Sequence, residues 1–176
     1  REGANVNVKN NNGDTALMCA SRDGNKYVVE LLINAGANIN DKDCYGKTAL
    51  LLASKSGHKD IVELLTSKYT YIDFKKKYGQ KALIYASNNG HKDIVEMLIN
   101  EGADVNVKNS YGKTALIFAS KNGHKDIVEL LIHSGANINH KDCKGNTPLI
   151  WASHDGHKDV VELLIRKGAD IDSKKQ

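Results

Sequence analysis

Apolar and polar positions along the chain form a pattern that returns every 33 residues. The copy that starts at Asp43 has a short apolar segment over residues 49–53. After Gly57 comes a second segment, whose apolar residues fall on one side of a helix. Lysine and acidic residues occupy the other side of this second segment, as expected where a helix faces water. The pattern predicts two short helices per copy and five such pairs along the chain.

Glycines stand at fixed places in these copies. The first place predicts a tight turn before the first helix, and it holds Gly13, Gly46, Gly79, Gly112 and Gly145. The second place separates the two helices and holds Gly24, Gly57, Gly90, Gly123 and Gly156. A third glycine is expected to end the second helix in the left-handed conformation in most copies, at Gly36, Gly102, Gly135 and Gly168. Thr48 stands where its side chain can cap the first helix.

A fixed period of this length is typical of a solenoid, in which each unit is too small to bury its apolar face alone. We therefore predict one array over residues 1–176, with a partial repeat over 1–9, five helix pairs over 10–172 and a tail over 173–176. The first and last helix pairs are as apolar as the middle ones, whereas terminal repeats usually have a polar outer face. This favours a fragment of a longer protein, and the alternative is a short protein whose terminal repeats are incompletely capped.

The repeated residues resemble the ankyrin repeat. The family's tetrad TPLH corresponds here to TALM at Thr15, TALL at Thr48, KALI at Lys81, TALI at Thr114 and TPLI at Thr147. Gly-His before the second helix and Gly-Ala after it also match, while serine replaces the second alanine of the family pattern in every copy. The resemblance implies an all-α solenoid of helix-turn-helix units with projecting β-hairpin-like loops. It also implies a non-catalytic protein–protein interaction module or scaffold that binds on its concave face.

Composition narrows the classes of partner and compartment. Net charge is +4, but lysine outnumbers arginine 22 to 3, and arginine is the usual residue for bidentate phosphate and base contacts. Nucleic acid or another phosphate-rich ligand is therefore the alternative, and a protein the favoured partner. No run of 18 apolar residues exists, so we expect no membrane insertion. Cys44 and Cys143 lie too far apart in the array for a disulfide, which fits an intracellular, cytoplasmic monomer.

Three sets of equivalent positions are candidate partner-binding residues on the hairpin tips. Lysine holds one position of the repeat at Lys42, Lys75, Lys108 and Lys141, and in each of these copies except that of Lys75 it precedes a leading Asp or Asn. Tyrosine precedes the turn glycine at Tyr45, Tyr78 and Tyr111, and lysine follows it at Lys47 and Lys113. Tyrosine offers a large contact area at low entropic cost, and summed lysine charge attracts acidic ligands. The pattern indicates a groove for an acidic or phosphorylated partner, although lysine duplicated along with the repeat would give the same pattern.

The boundary over residues 66–81 departs from its siblings. Tyrosine replaces the usual cap glycine at Tyr69, and an aromatic and lysine cluster follows that includes Tyr71, Phe74 and Tyr78. Such variation can mark a contact site or tolerated drift in a loop. We add Tyr71 and Phe74 to the candidate binding residues, and we predict that this stretch is the weakest part of the array because it lacks the glycine cap.

Catalytic and metal-binding patterns are missing from the sequence. There is no nucleophile elbow, phosphate-binding loop or dinucleotide turn, and the spacing of His140, Cys143 and His154 matches no strong zinc pattern. We expect no enzyme activity, no cofactor and no metal. The recurrent histidines at the start of the second helices, such as His58, are interpreted as structural turn and cap residues.

Overall fold

The computed structural model describes residues 4–69 and 78–171, and within them the chain forms ten helices and no strand. The helices are α1 (Ala16–Arg22), α2 (Lys26–Asn34), α3 (Ala49–Ser56), α4 (Lys59–Thr66), α5 (Gly79–Asn89), α6 (Lys92–Asn100), α7 (Ala115–Lys121), α8 (Lys125–His133), α9 (Pro148–His154) and α10 (Lys158–Arg166). They form two compact units, unit 1 (Arg1–Asp73) with α1–α4 and unit 2 (Phe74–Gln176) with α5–α10. The predicted all-α fold of helix pairs is confirmed. Its continuity as a single array stays a prediction.

Threonine caps decide where four of the first helices begin. The hydroxyl oxygens of Thr15, Thr48, Thr114 and Thr147 accept hydrogen bonds from the backbone amide three residues later, at 3.3–3.5 Å. Each threonine has extended backbone angles, and α1, α3, α7 and α9 begin at the next residue. The capping role predicted for Thr48 is therefore confirmed, because a side-chain oxygen satisfies a donor that the first helical turn leaves open.

Helix α5 is the exception, and it corrects the prediction of a tight turn at Gly79. Lys81 replaces the capping threonine, and α5 begins earlier, at Gly79, and runs for 11 residues. Tyr78 already has helical backbone angles, with φ −94° and ψ −44°, and no side chain caps α5. Every other glycine in the described residues has a positive φ. Without a threonine to stop it, the helix extends backwards through the residues that form a turn in the other copies.

Packing between successive repeats supplies the core of each unit. In unit 1, α1 packs on α3 and α2 on α4, while in unit 2 the first helices α5, α7 and α9 pack in order, as do the second helices α6, α8 and α10. Ile61 in α4 is fully buried, whereas Val28, at the same position of α2, is 43% exposed. The difference is the behaviour expected where burial comes from a neighbouring repeat.

Residues 70–77 lie outside the described part of the chain, and with them Tyr71, Phe74 and Lys75. The division between the two units falls in this segment, between Asp73 and Phe74. Ser67, Lys68 and Tyr69 end α4 through backbone bonds of 3.1 Å, and Tyr69 does not have a left-handed backbone. The expectation that residues 66–81 are the weakest stretch stays a prediction. No helix in the described residues has the length and apolar character that a membrane crossing requires.

Candidate functional site

The turns between repeats are built around an aspartate or asparagine whose side chain organises the loop. Asp43 Oδ1 accepts hydrogen bonds from the amides of Tyr45 and Lys47, at 2.9 and 2.7 Å. Asn109 holds Tyr111 and Lys113 in the same way, at 2.9 and 3.0 Å. A backbone bond across four residues closes each loop, from Asp43 N–H to the Lys47 carbonyl and from Asn109 N–H to the Lys113 carbonyl. These are the hairpin-like tips that the sequence predicted, and they fix the backbone of the candidate binding residues.

Neighbouring tips are tied together within each unit. The Cys44 amide donates to the Asn12 carbonyl in unit 1, and the Cys143 amide donates to the Tyr111 carbonyl in unit 2, at 3.0 and 3.1 Å. His140 Nε2 adds a second link in unit 2 at 2.8 Å from the Gly112 carbonyl. Tyr111 therefore projects from a backbone that is held from both sides.

Histidines tie the second helices to the preceding repeat. The Nε2 atoms of His58, His124 and His157 lie 3.0, 3.2 and 2.8 Å from the carbonyls of Arg22, Asn88 and Lys121. Each carbonyl lies at or near the end of a first helix, where such groups lack an intrahelical partner. The histidines precede α4, α8 and α10, as predicted, but their side chains bond across the repeat interface and not to their own helix.

A groove of about 300 Å³ runs between the tips and the first helices of unit 1; we call it the Tyr45 groove. Its lining includes Asn12, Asp14, Arg22, Tyr45, Lys47 and Lys55. Tyr45 is 79% exposed, and Lys47 Nζ lies 5.3 Å from the centre of its ring. Arg22 pairs with Asp14 at 3.2 Å, and this hydrogen bond raises the pKa of Arg22 although burial opposes it. The most buried carboxylate of the groove, that of Asp14, is thus already paired with a residue of the groove itself.

The corresponding surface of unit 2 centres on a tryptophan; we call it the Trp151 cluster, made of Lys113, Phe118, Lys121, Asp142 and Trp151. Lys113 Nζ lies 3.9 Å from the centre of the Trp151 ring and 5.7 Å from that of Phe118. Lys121 Nζ lies 4.8 Å from the same indole. Trp151 Nε1 donates to Asp142 Oδ2 at 2.9 Å. Two ammonium groups therefore face one aromatic ring, an arrangement favoured by the ring quadrupole.

Charges in the Trp151 cluster shift two pKa values. Burial lowers the pKa of Lys113, and repulsion from Lys121 lowers it further. Burial works against ionisation of Asp142. Hydrogen bonds from the Asn146 amide, Trp151 and the Lys144 amide, together with the Lys113 charge, outweigh that effect and lower its pKa. The carboxylate of Asp142 is thus stabilised as an anion, whereas the ammonium of Lys113 lacks comparable compensation.

The structure places the predicted tip residues in three ways. Tyr111 is 70% exposed, like Tyr45, while Lys42, Lys108 and Lys141 are exposed. Lys47 and Lys113 lie half-buried against rings. Tyr78 is half-buried at the start of α5 and not on a turn tip. Tyr45 and Tyr111 thus share one environment that Tyr78 does not.

Trp151 and Asp142 were missed as candidate site residues. The signal was present in one position of the repeat, which changes from Cys19 through Leu52, Tyr85 and Phe118 to Trp151. Trp151 is half-buried beside two lysines, so its ring lines the surface.

Residues with metal-ligand chemistry do not cluster in the described part of the chain. There, no group of three His, Cys, Asp or Glu side chains is arranged to hold a metal ion. His140 bonds a backbone carbonyl, and His154 Nδ1 bonds the adjacent Asp155. Cys19, Cys44 and Cys143 are free thiols.

Comparison with known protein families identifies the type of repeat that carries these surfaces. A family model described as ankyrin repeats, in 3 copies, matches residues 2–77 and 83–175. The chain belongs to the ankyrin-repeat family. No curated protein sequence matches it significantly. Ankyrin repeats are generally protein–protein interaction modules and typically non-catalytic. The break in the match, residues 78–82, coincides with the start of α5, where the ankyrin turn and threonine cap are replaced by helix.

Proposed function

We propose that this ankyrin chain is a non-catalytic recognition module that binds an acidic segment of a protein partner on its turn tips and first helices. The proposal rests on two tyrosines whose side chains are exposed while their backbones are held in place. Tyr45 and Tyr111 are 79% and 70% exposed although their backbones are fixed by side-chain hydrogen bonds and by ties to neighbouring turns. Large aromatic side chains on a rigid backbone lose little entropy on binding, which favours them as anchors.

Charge around these tips supports an acidic or phosphorylated partner. Lys47 lies beside Tyr45, and exposed Lys42, Lys108 and Lys141 occupy the position before each organising Asp or Asn. Clustered lysine charge raises the rate at which acidic ligands associate, even where each contact contributes little affinity. We further propose an intracellular location, which fits three free thiols, two of them exposed.

Matched tyrosine variants test the proposal. The partner would be captured with the wild-type chain from the native cell and identified, and its affinity for purified variants then measured by calorimetry. Tyr45→Ala and Tyr111→Ala should each weaken binding by at least ~2 kcal/mol, as interface anchors do. Tyr27 on α2 is 71% exposed and lies outside the Tyr45 groove, so Tyr27→Ala is an exposure-matched control that should leave the affinity unchanged.

Two results would contradict this function. Unchanged affinity in the Tyr45→Ala/Tyr111→Ala double variant would show that the tips are not the binding surface. A captured partner that is nucleic acid, with affinity falling linearly and steeply on a log–log plot against salt, would favour the phosphate-binding alternative.

A further inference from the structure

The indole of Trp151 has a fixed orientation in unit 2. Its Nε1–H donates to Asp142 Oδ2 at 2.9 Å, and Asp142 Oδ1 accepts from the amides of Lys144 and Asn146, both at 2.9 Å. Asp142 is only 6% exposed. One carboxylate therefore joins the turn to the ring, and the ring face is presented to Lys113 and Lys121 without freedom to turn away.

Among the described residues, Lys113 and Lys121 have no ion-pair partner of their own. Their Nζ atoms lie 3.9 and 4.8 Å from the centre of the same ring, and neither forms an ion pair with any residue of the described ranges 4–69 and 78–171. The nearby carboxylates are engaged elsewhere, Asp142 by Trp151 and the turn amides and Asp155 by His154. Burial and repulsion from Lys121 together lower the pKa of Lys113, and the opposing charges of Asp142 and Asp155 offset this only in part.

Unit 1 shows how the same positions behave when an anion is supplied. The residues equivalent to Lys113, Lys121 and Trp151 in the first repeat pair are Asp14, Arg22 and Leu52. There the Asp14 carboxylate lies 3.2 Å from the Arg22 guanidinium and pairs with it. The Trp151 cluster has Lys113 where unit 1 has Asp14, so this position supplies no carboxylate to Lys121.

We propose that the Trp151 cluster is a binding subsite for a carboxylate side chain of an acidic peptide segment, held between Lys113 and Lys121 over the indole. The subsite rests on the proposed function and gives its partner a specific contact. A carboxylate here would neutralise two repelling ammonium groups, and its methylene stem would pack on the ring face. The neighbouring turn tip, with Tyr111 70% exposed, extends the contact along the peptide.

A peptide carboxylate fits this subsite better than a nucleic-acid backbone. Lysine supplies point charges, and the bidentate arginine fork that suits phosphate is missing from the cluster. Asp142 and Asp155 lie among the lysines, and their negative charge opposes a continuous run of phosphates. Isolated carboxylates spaced along a peptide can avoid these two residues.

The test uses the whole chain and a defined probe, an acetylated and amidated hexaglutamate peptide. Trp151 is the only tryptophan in the chain, so its fluorescence reports the subsite directly while calorimetry reports total binding. We expect the tryptophan fluorescence to change saturably as hexaglutamate is added, with the same midpoint as the calorimetric titration. Hexaglutamine should leave the fluorescence unchanged. Lys113→Gln and Lys121→Gln should each weaken binding roughly fivefold, the upper range for an exposed ion pair.

Two further variants sharpen the result. Lys113→Asp recreates the pair seen between Asp14 and Arg22, so it should abolish hexaglutamate binding while the helical circular dichroism is retained. Lys59→Gln removes the same charge from an exposed position at the start of α4, outside both proposed binding surfaces, and should change the affinity less than twofold.

The outcomes separate this subsite from the general function. Equal losses from Lys59→Gln and Lys113→Gln, binding without fluorescence change, or no hexaglutamate binding at all would overturn the subsite. Stronger, lysine-dependent binding of a six-nucleotide oligothymidylate would overturn it in favour of a phosphate site. None of these results would affect a partner affinity that depends on Tyr45 and Tyr111, so failure of the subsite and failure of the proposed function remain distinguishable.

Discussion

Equivalent positions in the two units differ in charge: unit 1 has an ion pair where unit 2 has two lysines. In unit 1, Asp14 and Arg22 neutralise each other at 3.2 Å beside the buried Leu52. In unit 2, Lys113 and Lys121 occupy those positions, and both ammonium groups lie over the ring of Trp151. Both units contain turns, threonine caps and histidine ties of the same kind, although α5 in unit 2 lacks the turn and the cap. A repeated frame can thus carry surfaces with unlike chemistry, because four of the five side chains of the Trp151 cluster differ from their unit 1 equivalents, which are Asp14, Cys19, Arg22 and Leu52.

The largest effect on stability is expected from the histidines that tie successive repeats together, because both units share these contacts. A Cβ added at Gly123 would lie 2.6 Å from His157 Nδ1, whereas at Gly156 it would meet nothing within 4 Å. Both glycines have positive φ, 74° and 77°, so Gly156→Ala is a control for backbone strain alone. Gly156→Ala should cost about 1 kcal/mol and Gly123→Ala about 3 kcal/mol, since the latter also displaces the histidine bond to Lys121.

Urea unfolding of both variants measures this difference. Gly24→Ala should behave like Gly123→Ala, because its Cβ would lie 2.5 Å from His58 Cε1 in unit 1. Equal costs for Gly123→Ala and Gly156→Ala would show that the histidine ties contribute nothing to stability. The two units would then not share a stabilising contact between repeats.

The next largest effect concerns the bond that orients the indole. Trp151→Phe keeps an aromatic ring but removes the donor to Asp142 Oδ2, leaving a nearly buried carboxylate less satisfied. We expect a loss of about 1.5 kcal/mol at pH 7 and a rise in the pKa of Asp142. Leu52→Ile, at the equivalent position of unit 1, involves no such bond and is the packing control.

The pH dependence of this loss has a definite sign. The folded pKa of Asp142 lies below its usual value, so the contribution of its hydrogen bonds is present above the unfolded pKa of about 3.9 and disappears as pH falls through the folded pKa. The stability gap between wild type and Trp151→Phe should therefore shrink below about pH 4. A gap independent of pH would assign the loss to packing alone.

Smaller effects of opposite sign are expected from buried serines. Ser54 Oγ in unit 1 donates to the Leu50 carbonyl at 2.7 Å, whereas Ser120 Oγ in unit 2 is buried without a partner in the described structure. Ser54→Ala should cost about 1 kcal/mol, and Ser120→Ala should stabilise by up to about 1 kcal/mol because it removes an unpaired hydroxyl. Thermal unfolding midpoints compare the pair, and destabilisation by Ser120→Ala would show that its hydroxyl is satisfied in solution.

The smallest effects on stability are expected from the charged residues that distinguish the Tyr45 groove from the Trp151 cluster. Arg22→Gln breaks a partly exposed ion pair and should cost about 0.5 kcal/mol. Lys121→Gln removes a cation–π contact but also a repulsion, so the net change should lie within about 0.3 kcal/mol of zero. It should raise the pKa of Lys113, which NMR titration of the side-chain Nζ would measure. An unchanged pKa would mean that the two lysines do not interact.

Much of this architecture could be predicted from the order of residues alone. The helix pairs, the threonine caps and the glycine positions follow from local chemistry repeated at one period, and the ankyrin family match confirms that interpretation. The turn predicted at Gly79 was wrong because a turn glycine is effective only when a cap stops the helix behind it, and Lys81 provides none. Tyr45 and Tyr111 were predicted on turn tips and are found there.

The sequence by itself determined the repeat, its helices and the residues that stand on its tips, because these depend on neighbours within one turn of chain. Only the tertiary structure decided that Trp151 would join Asp142, Lys113 and Lys121 into one cluster. The two lysine contacts cross from one repeat to the next, whereas the Asp142–Trp151 bond lies within one repeat. They depend on how stacked helices bring side chains about one period apart into reach, and periodicity alone cannot tell a paired Asp14 and Arg22 from two lysines that share a ring.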